Sequence, residues 1–405
     1  MPQIDMFSDF NQEKCTLCGD CFHKCPVLQL PIEKSIEEMK RIQARKKTEI
    51  VLQKCQSCFY CNIICPNQAN PAQLILKRWN EYYKENGLPI WAKYFNTLDH
   101  PNFRSYPLSM KTLPKDEKQV LEDWKDLSKV KGNYCYPGCN VITSCYLTDT
   151  KLLEDLEIRG ALDFCCGETF YRTGLFEQVK QQTKRLNKYF SKLDVKKMVI
   201  LCTAGCNVFK NILPHFGANF DFPIQSYLEY LWERIKSGDL VLKKKILKNV
   251  KVTIQDSCYS KMFGSEYIEI PRKILKQLGA EIVEMEHSKE CMVCCGIAGG
   301  FSPYSGYHPL KIIKATLARL REAKKTKAQI HVVYCAGCLQ LFNIMRIIYP
   351  VALPVYHILE LLQLSIGEKP KRREFSRALS FFLGIIIKQF PLLLSRKRYK
   401  IPKIK

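Results

Sequence analysis

The stretch that decides the architecture is Cys15-Thr-Leu-Cys18-Gly-Asp-Cys21-Phe-His-Lys-Cys25-Pro26, which returns as Cys55-Gln-Ser-Cys58-Phe-Tyr-Cys61-Asn-Ile-Ile-Cys65-Pro66. Each run sets three cysteines two residues apart and a fourth after a gap of three, followed by proline. Thiolates at this spacing wrap the corners of an iron–sulfur cube, while the short loops turn backbone amides toward the sulfides. Zinc usually takes two well-separated C-x2-C pairs instead. The pattern predicts two [4Fe–4S] clusters.

In two-cluster ferredoxins the fourth cysteine of each run ligates the other cluster. One cluster is accordingly assigned to Cys15, Cys18, Cys21 and Cys65, and the other to Cys55, Cys58, Cys61 and Cys25. Between the runs, Ile32, Ile36, Met39 and Ile42 recur at three- and four-residue steps, the period of an amphipathic helix. A further helix is expected over Gln73–Tyr83, its Trp79, Tyr82 and Tyr83 serving as core rather than as a nucleic-acid stacking surface. A helix after each run predicts an all-α ferredoxin-type domain over residues 1–100.

The whole chain has 405 residues, 21 of them cysteine, with 46% hydrophobic and 25% charged residues. That composition is globular and excludes a disordered or fibrous chain. The first residues lack the basic and apolar segments of a secretory signal, so a cytoplasmic location is expected. Reduced thiols in that compartment, and an odd number of them, argue for metal ligation over disulfides. Eight cysteines fall within residues 15–65 and thirteen within 135–338, with none between. Two different metal-bearing modules follow.

The second module is duplicated. Met198-Val-Ile-Leu-Cys202-Thr-Ala-Gly-Cys206 corresponds to Val332-Val-Tyr-Cys335-Ala-Gly-Cys338, and Cys165-Cys166-Gly167 to Cys294-Cys295-Gly296. Pro223-Ile-Gln-Ser corresponds to Pro354-Val-Tyr-His, giving offsets of 129, 132 and 131 residues. Offsets this similar mark tandem copies of one unit. Each copy opens on a lone cysteine, Cys139 and Cys258. Apolar runs at Met198–Leu201, Val250–Ile254, Glu281–Glu284 and Ile330–Tyr334 predict buried parallel strands alternating with helices. The Cys-bearing loops 202–206 and 335–338 fall between a strand end and a helix start, where the helix dipole favours thiolate.

The C…CCG…CxxC arrangement, present twice, resembles the cysteine-rich CCG domain of heterodisulfide reductases and related iron–sulfur oxidoreductases. A dicluster ferredoxin domain followed by two such domains resembles the D-type subunit of heterodisulfide reductase over roughly residues 10–365. The resemblance implies an α+β multidomain chain: the all-α ferredoxin-type domain, a linker over 101–130, α/β CCG domains over 131–240 and 241–366, and a basic, apolar tail over 367–405. It also implies one or two further iron–sulfur clusters, each a non-cubane [4Fe–4S] where the motif is complete. The catalytic site would be Cys258, Cys294, Cys295, Cys335 and Cys338. In the first unit the cofactor-binding candidates are Cys139, Cys165, Cys166, Cys202 and Cys206. The loop there is one residue longer, so aligning Cys206 with Cys338 puts Thr203 where Cys335 stands, and Cys202 falls out of register. Cys135, Cys145 and Cys291 match nothing in the repeat and read as free buried thiols.

Residues 368–405 hold twelve Lys and Arg against two acidic residues, a large part of the net charge of +24. Basic flanks around the apolar stretch Ala378–Leu394 suit either peripheral contact with an anionic membrane or a helix docked on the body. Nucleic-acid binding is not expected, since no recognition module accompanies the charge. Two functions compete: a thiol–disulfide oxidoreductase resembling heterodisulfide reductase, and an electron-transfer protein that delivers electrons from a flavin dehydrogenase to quinone. Either implies a redox partner, a flavoprotein or a membrane cytochrome or quinone-linked subunit. No G-x-G-x-x-G fingerprint follows a strand, so a flavin would belong to the partner. His287, His308 and His357 are expected to be structural.

Overall fold

The computed structural model describes residues 5–109, 112–300 and 302–404. Each N-terminal cysteine run turns into a short helix and then a long one: Asp20–His23 before Ile32–Gln43, and Tyr60–Ile63 before Pro71–Asn86. The periodicity is realised, with Met39 and Ile42 buried on one long helix and Trp79 and Tyr83 on the other. Glu38, on the same buried face, accepts the N–H groups of Glu49, Ile50 and Val51 at 3.0, 3.2 and 2.7 Å. It satisfies amides at the start of the helix Val51–Lys54 that would otherwise lack partners. Trp79 donates its indole N–H to Leu52 O at 2.9 Å, and Arg78 donates to Ile42 O at 2.8 Å. The domain is thus tied by side-chain bonds to main-chain oxygens as well as by its core.

Beyond the two-residue strand β1 (Leu88–Pro89), two sheets follow. The first holds β2 (Gly132–Tyr136), β3 (Glu157–Ile158), β4 (Val195–Ile200) and β5 (Ile224–Ser226) in the order β3-β2-β4-β5. The second holds β6 (Lys251–Gln255), β7 (Glu281–Ile282), β8 (Ile330–Val333) and β9 (Val355–His357) in the order β7-β6-β8-β9. All their pairings are parallel. The identical order is the structural counterpart of the duplicated sequence. Val199, Ile200, Val252, Ile254, Val332 and Val333 are wholly buried, as parallel sheets covered on both faces require. The expected strand Glu281–Glu284 shortens to two residues.

One expectation is corrected. Residues 101–130 are not a plain linker: they contain the helix Lys115–Trp124, whose Asp116 and Glu117 pair with Lys371, Arg373 and Arg377. The tail takes one of its two expected placements, a helix docked on the body. Its helix Glu374–Lys388 buries Ala378, Phe381 and Gly384 against the body, and any side chain at Gly384 would strike Tyr94 and Tyr106. After that helix the chain returns to the N-terminal domain, where β10 (Arg398–Tyr399) pairs antiparallel with β1. Arg398 Nη2 donates to Gly87 O and Pro303 O, both at 2.8 Å, and Ile401 N donates to Tyr83 Oη at 3.0 Å. The net positive charge of this segment is partly consumed in internal ion pairs.

Candidate functional site

The eight N-terminal cysteines gather around two cavities. One is lined by Cys15, Cys18, Cys21 and Cys65, the other by Cys25, Cys55, Cys58 and Cys61 together with Cys21. Each run therefore sends its fourth cysteine to the neighbouring cavity. The loops reach this shape through left-handed residues at matching places, Leu17 and Gly19 in one and Ser57 and Phe59 in the other. Gly19 adopts that backbone without strain, whereas Phe59 at φ 61° carries a side chain into it. The turn brings Ser57 N within 3.3 Å of Cys55 Sγ. Burial pushes the Cys15, Cys21, Cys55 and Cys61 thiols up, and Cys25 up to about 11. Such thiols stay neutral until a cation compensates their charge, so metal loading releases protons here. Among the described residues no three Cys, His, Asp or Glu side chains close on a point fit for one metal ion.

In the second α/β unit, five cysteines form one connected set. Cys258 meets Cys294, Cys294 meets Cys295, Cys295 meets Cys338, and Cys338 meets Cys335, each through a thiol hydrogen bond. Cys335 occupies the N-cap position of the helix Ala336–Ile348 and Cys338 lies in its first turn. Hydrogen bonds from Cys294 and Cys338 hold the Cys295 thiol down, to about 5, with the Ile297 N–H adding to this. The Cys335 thiol is likewise held down, by Cys338 and by the backbone N–H groups of Cys338 and Gly337. Hydrogen bonding to Cys295 and burial push Cys294 up to about 12. The expectation that the helix start favours thiolate holds at Cys335.

The first unit assembles a smaller set. Cys139 is hydrogen-bonded to Cys165, Cys165 to Cys166, and Cys202 lies in the field of both Cys139 and Cys166. Cys206 stands apart, fully buried, with Lys210 and Glu229 as its charged neighbours. Cys202, not Cys206, therefore joins the set, against the register that the sequence repeat suggests. Cys202 holds the N-cap position of its helix, as Cys335 does of the other, and its sulfur accepts the Gly205 N–H at 3.5 Å. Counting from those caps, Cys206 lies one residue further along than Cys338, a rotation of about 100° at 3.6 residues per turn. Its thiol is turned into the core. Burial and Cys335 push the Cys202 thiol up, so the helix start does not favour thiolate there.

The two cysteine loops face one another. Cys202 lies in the field of Cys335, and Gln340 Nε2 donates to Asn140 O at 2.7 Å and to Ser144 Oγ at 3.0 Å. The N-terminal domain meets the same seam. Phe59, beside Cys58, has its ring centroid 6.4 Å from that of Tyr259, beside Cys258. Arg172, 2% exposed, donates from Nη2 to Cys258 Sγ at 3.2 Å and pairs with Glu168 at 3.1 Å. Tyr259 Oη closes the group by donating to Glu168 Oε1 at 2.8 Å. Sequence reasoning missed Arg172, Glu168, Tyr259 and Phe59. Their only signal is adjacency to a cysteine motif, since Arg172 follows Cys165-Cys166-Gly167 by five residues yet serves the other unit's cysteine.

Of the unmatched cysteines, Cys135 and Cys145 are buried as expected, but Cys291 is exposed and its sulfur lies 3.3 Å from Tyr60 Oη. His287 pairs with Glu322, His308 sits edge-on to Trp91, and His357 caps the helix Ile358–Ile366. An apolar cavity of about 440 Å³ lies behind the second site, between the helices Pro309–Lys325, Ala336–Ile348 and Glu374–Lys388.

Two family models match the chain: a 4Fe-4S dicluster domain over residues 9–66 and a cysteine-rich (CCG) domain over residues 252–343. Among curated relatives, the EtfAB:quinone oxidoreductase of Syntrophomonas wolfei is 26% identical over 299 residues, 71% of this chain and 36% of that protein. The D-type subunit of the dihydromethanophenazine:CoB–CoM heterodisulfide reductase of Methanosarcina mazei is 25% identical over 402 residues, 89% of this chain and 95% of that one. The probable iron-sulfur-binding oxidoreductase FadF of Bacillus subtilis is 28% identical over 295 residues, 71% of this chain and 37% of its own length. The chain thus spans about a third of two of these relatives and nearly all of the other.

Proposed function

We propose that this protein, an iron–sulfur protein similar to the D-type subunit of heterodisulfide reductase, carries electrons through two [4Fe–4S] clusters to the second cysteine site, where a disulfide is reduced. The N-terminal clusters would be held crosswise, by Cys15, Cys18, Cys21 and Cys65 and by Cys55, Cys58, Cys61 and Cys25. Cys258, Cys294, Cys295, Cys335 and Cys338 would hold a further, non-cubane cluster. The first α/β unit is read as a second CCG domain whose Cys139, Cys165, Cys166 and Cys202 hold another. When bound, these clusters supply one-electron steps, two of which with two protons convert one disulfide to two thiols.

The observation that carries this reading is the seam from Cys58 through Phe59 and Tyr259 to Cys258, with Arg172 lying against the last sulfur. The protein's own part is electrostatic. Arg172 keeps a buried positive charge on Cys258, and the Ile297 and Gly337 amides donate toward Cys295 and Cys335. Donors to sulfur and nearby charge set the potential at which such a site accepts electrons. The test is the anaerobically purified full chain, titrated by EPR with and without the coenzyme M–coenzyme B heterodisulfide. About twelve to sixteen iron atoms per chain are expected, four per cluster, and Cys338→Ser should abolish disulfide reduction while sparing the N-terminal signals. Zinc in place of iron, or a wild type inert toward disulfides, would remove this reading.

A second reading is favoured by the apolar cavity beside Cys335 and Cys338. In it the chain takes electrons from a flavoprotein partner and passes them toward quinone, with peripheral membrane contact through the exposed face of the helix Glu374–Lys388.

A further inference from the structure

We infer that the apolar cavity behind the second cysteine site binds the isoprenoid chain of a prenylated quinone, with the quinone ring against the thiol set; this rests on the quinone-linked reading above. At about 440 Å³ the cavity falls within the ~300–1,000 Å³ typical of small-molecule sites. It is concave, apolar and open at one end, as small-molecule sites are.

The inner wall is formed by Ile297, Gly337 and Gln340. The first two stand two residues beyond Cys295 and Cys335 along the chain, and Gly337 lies between Cys335 and Cys338, so a molecule reaching this end touches the shell of the thiol set. The outer end is formed by Ile348, Ile386 and Phe390, which are 46%, 42% and 39% exposed. From there an apolar stripe continues along the same helix through Phe375, Leu379 and Leu383, spaced four residues apart. Exposed Lys388, Arg396 and Lys397 stand at its end. A cationic, apolar face of this kind fits the surface of an anionic bilayer. The cavity therefore runs from a lipid-compatible face to the cysteines.

The lining also selects the head group. It contains no charged residue, and its single polar side chain, Gln340, already donates to Asn140, Thr143 and Ser144. A carboxylate or phosphate would enter without a partner, at a large desolvation cost. A neutral ring on an apolar chain would not.

Equilibrium dialysis of labelled menaquinone-4 against the anaerobically purified, cluster-loaded full chain tests this. Saturable binding of one molecule per chain is expected, weakened at least tenfold by Leu341→Trp, which fills the cavity. The exposed change Ile386→Asp, which leaves the core intact, should weaken it at least tenfold by charging the mouth. Hexadecanoate should compete at least tenfold less well than menaquinone-4. Absence of saturable binding, wild-type affinity in both variants, or equal competition by hexadecanoate would overturn the proposal. Oxidation of the reduced chain by tail-less menadione separates the site from the reading. If menaquinone-4 binds as expected but neither quinone oxidises the clusters, the site stands and the quinone-linked function falls. If menadione oxidises them while menaquinone-4 does not bind, the function stands and the site falls.

Discussion

Between Cys202 and Cys206 lie three residues, between Cys335 and Cys338 two, and one extra helical residue turns a side chain by about 100°. We expect Cys202→Ser to lower the iron bound by the first α/β unit, because its sulfur sits with those of Cys139 and Cys166. Cys206→Ser should leave the iron content unchanged and cost only stability, about 1–3 kcal/mol for a hydroxyl placed in a buried site. Iron analysis and chemical denaturation of the two variants check this, and equal iron loss in both would restore Cys206 as a ligand. At Arg172 the expectation concerns potential. A cation on Cys258 stabilises the more negative, reduced state, so Arg172→Leu should make the second site harder to reduce. A hydrogen bond to a charged group is worth about 1.5–3 kcal/mol, and one electron converts ~1.4 kcal/mol to 59 mV, so the drop is on the order of 100 mV. EPR-monitored redox titration measures it, with Arg172→Lys expected to retain part of the difference. A purely structural role would leave the potential of the assembled site unmoved.

At the helix Ile358–Ile366 the capping box joins His357 to Glu360, whose Oε2 accepts the His357 N–H at 2.7 Å. Burial pushes the Glu360 carboxyl up to about 7, and Glu374 adds to this, while the His357 N–H and Arg372 oppose it. An acid whose folded pKa is raised favours the protonated native state. Stability is therefore lost as pH rises from the unfolded value, about 4.3, to 7, and is level above that. Glu360→Gln keeps the cap but cannot ionise. We expect it to lie close to the wild type near pH 4.5 and to exceed it by up to about 3.5 kcal/mol at pH 8, at 1.36 kcal/mol per pKa unit, read from denaturation midpoints at both pH values. The same scale shows what sequence could reveal. Helices Ile32–Gln43 and Pro71–Asn86 were expected from their periodicity, and strands β4, β6 and β8 from continuous apolar runs. Strands β2, β3, β5 and β9 read GNYCY, EI, IQS and VYH, which carry no continuous apolar run to mark them. The cysteine sets were legible wherever spacing along one chain segment decides them. Arg172 on Cys258 was not, because that contact joins the two units and leaves no periodic trace.

Across the whole molecule, the C-terminal segment fastens the N-terminal domain to the second α/β unit, since Arg398 reaches both Gly87 O and Pro303 O. Removing residues 396–405 deletes β10, these bonds and the Ile401 bond to Tyr83. We expect the truncated chain to keep its secondary structure but to open locally around residues 83–89. Hydrogen exchange there should become faster while exchange in β6 and β8 is unchanged, because local opening and global unfolding draw on different contacts. Uniform acceleration across all the sheets would mean the segment supports the entire fold instead.

The pairing of Leu88 with Tyr399 also orders events during synthesis. Gly87 and Arg398 are 311 residues apart, so at about 5–20 residues per second the ribosome needs roughly 15–60 s to supply the second strand after the first. For that interval the N-terminal domain carries its cysteines without its clasp.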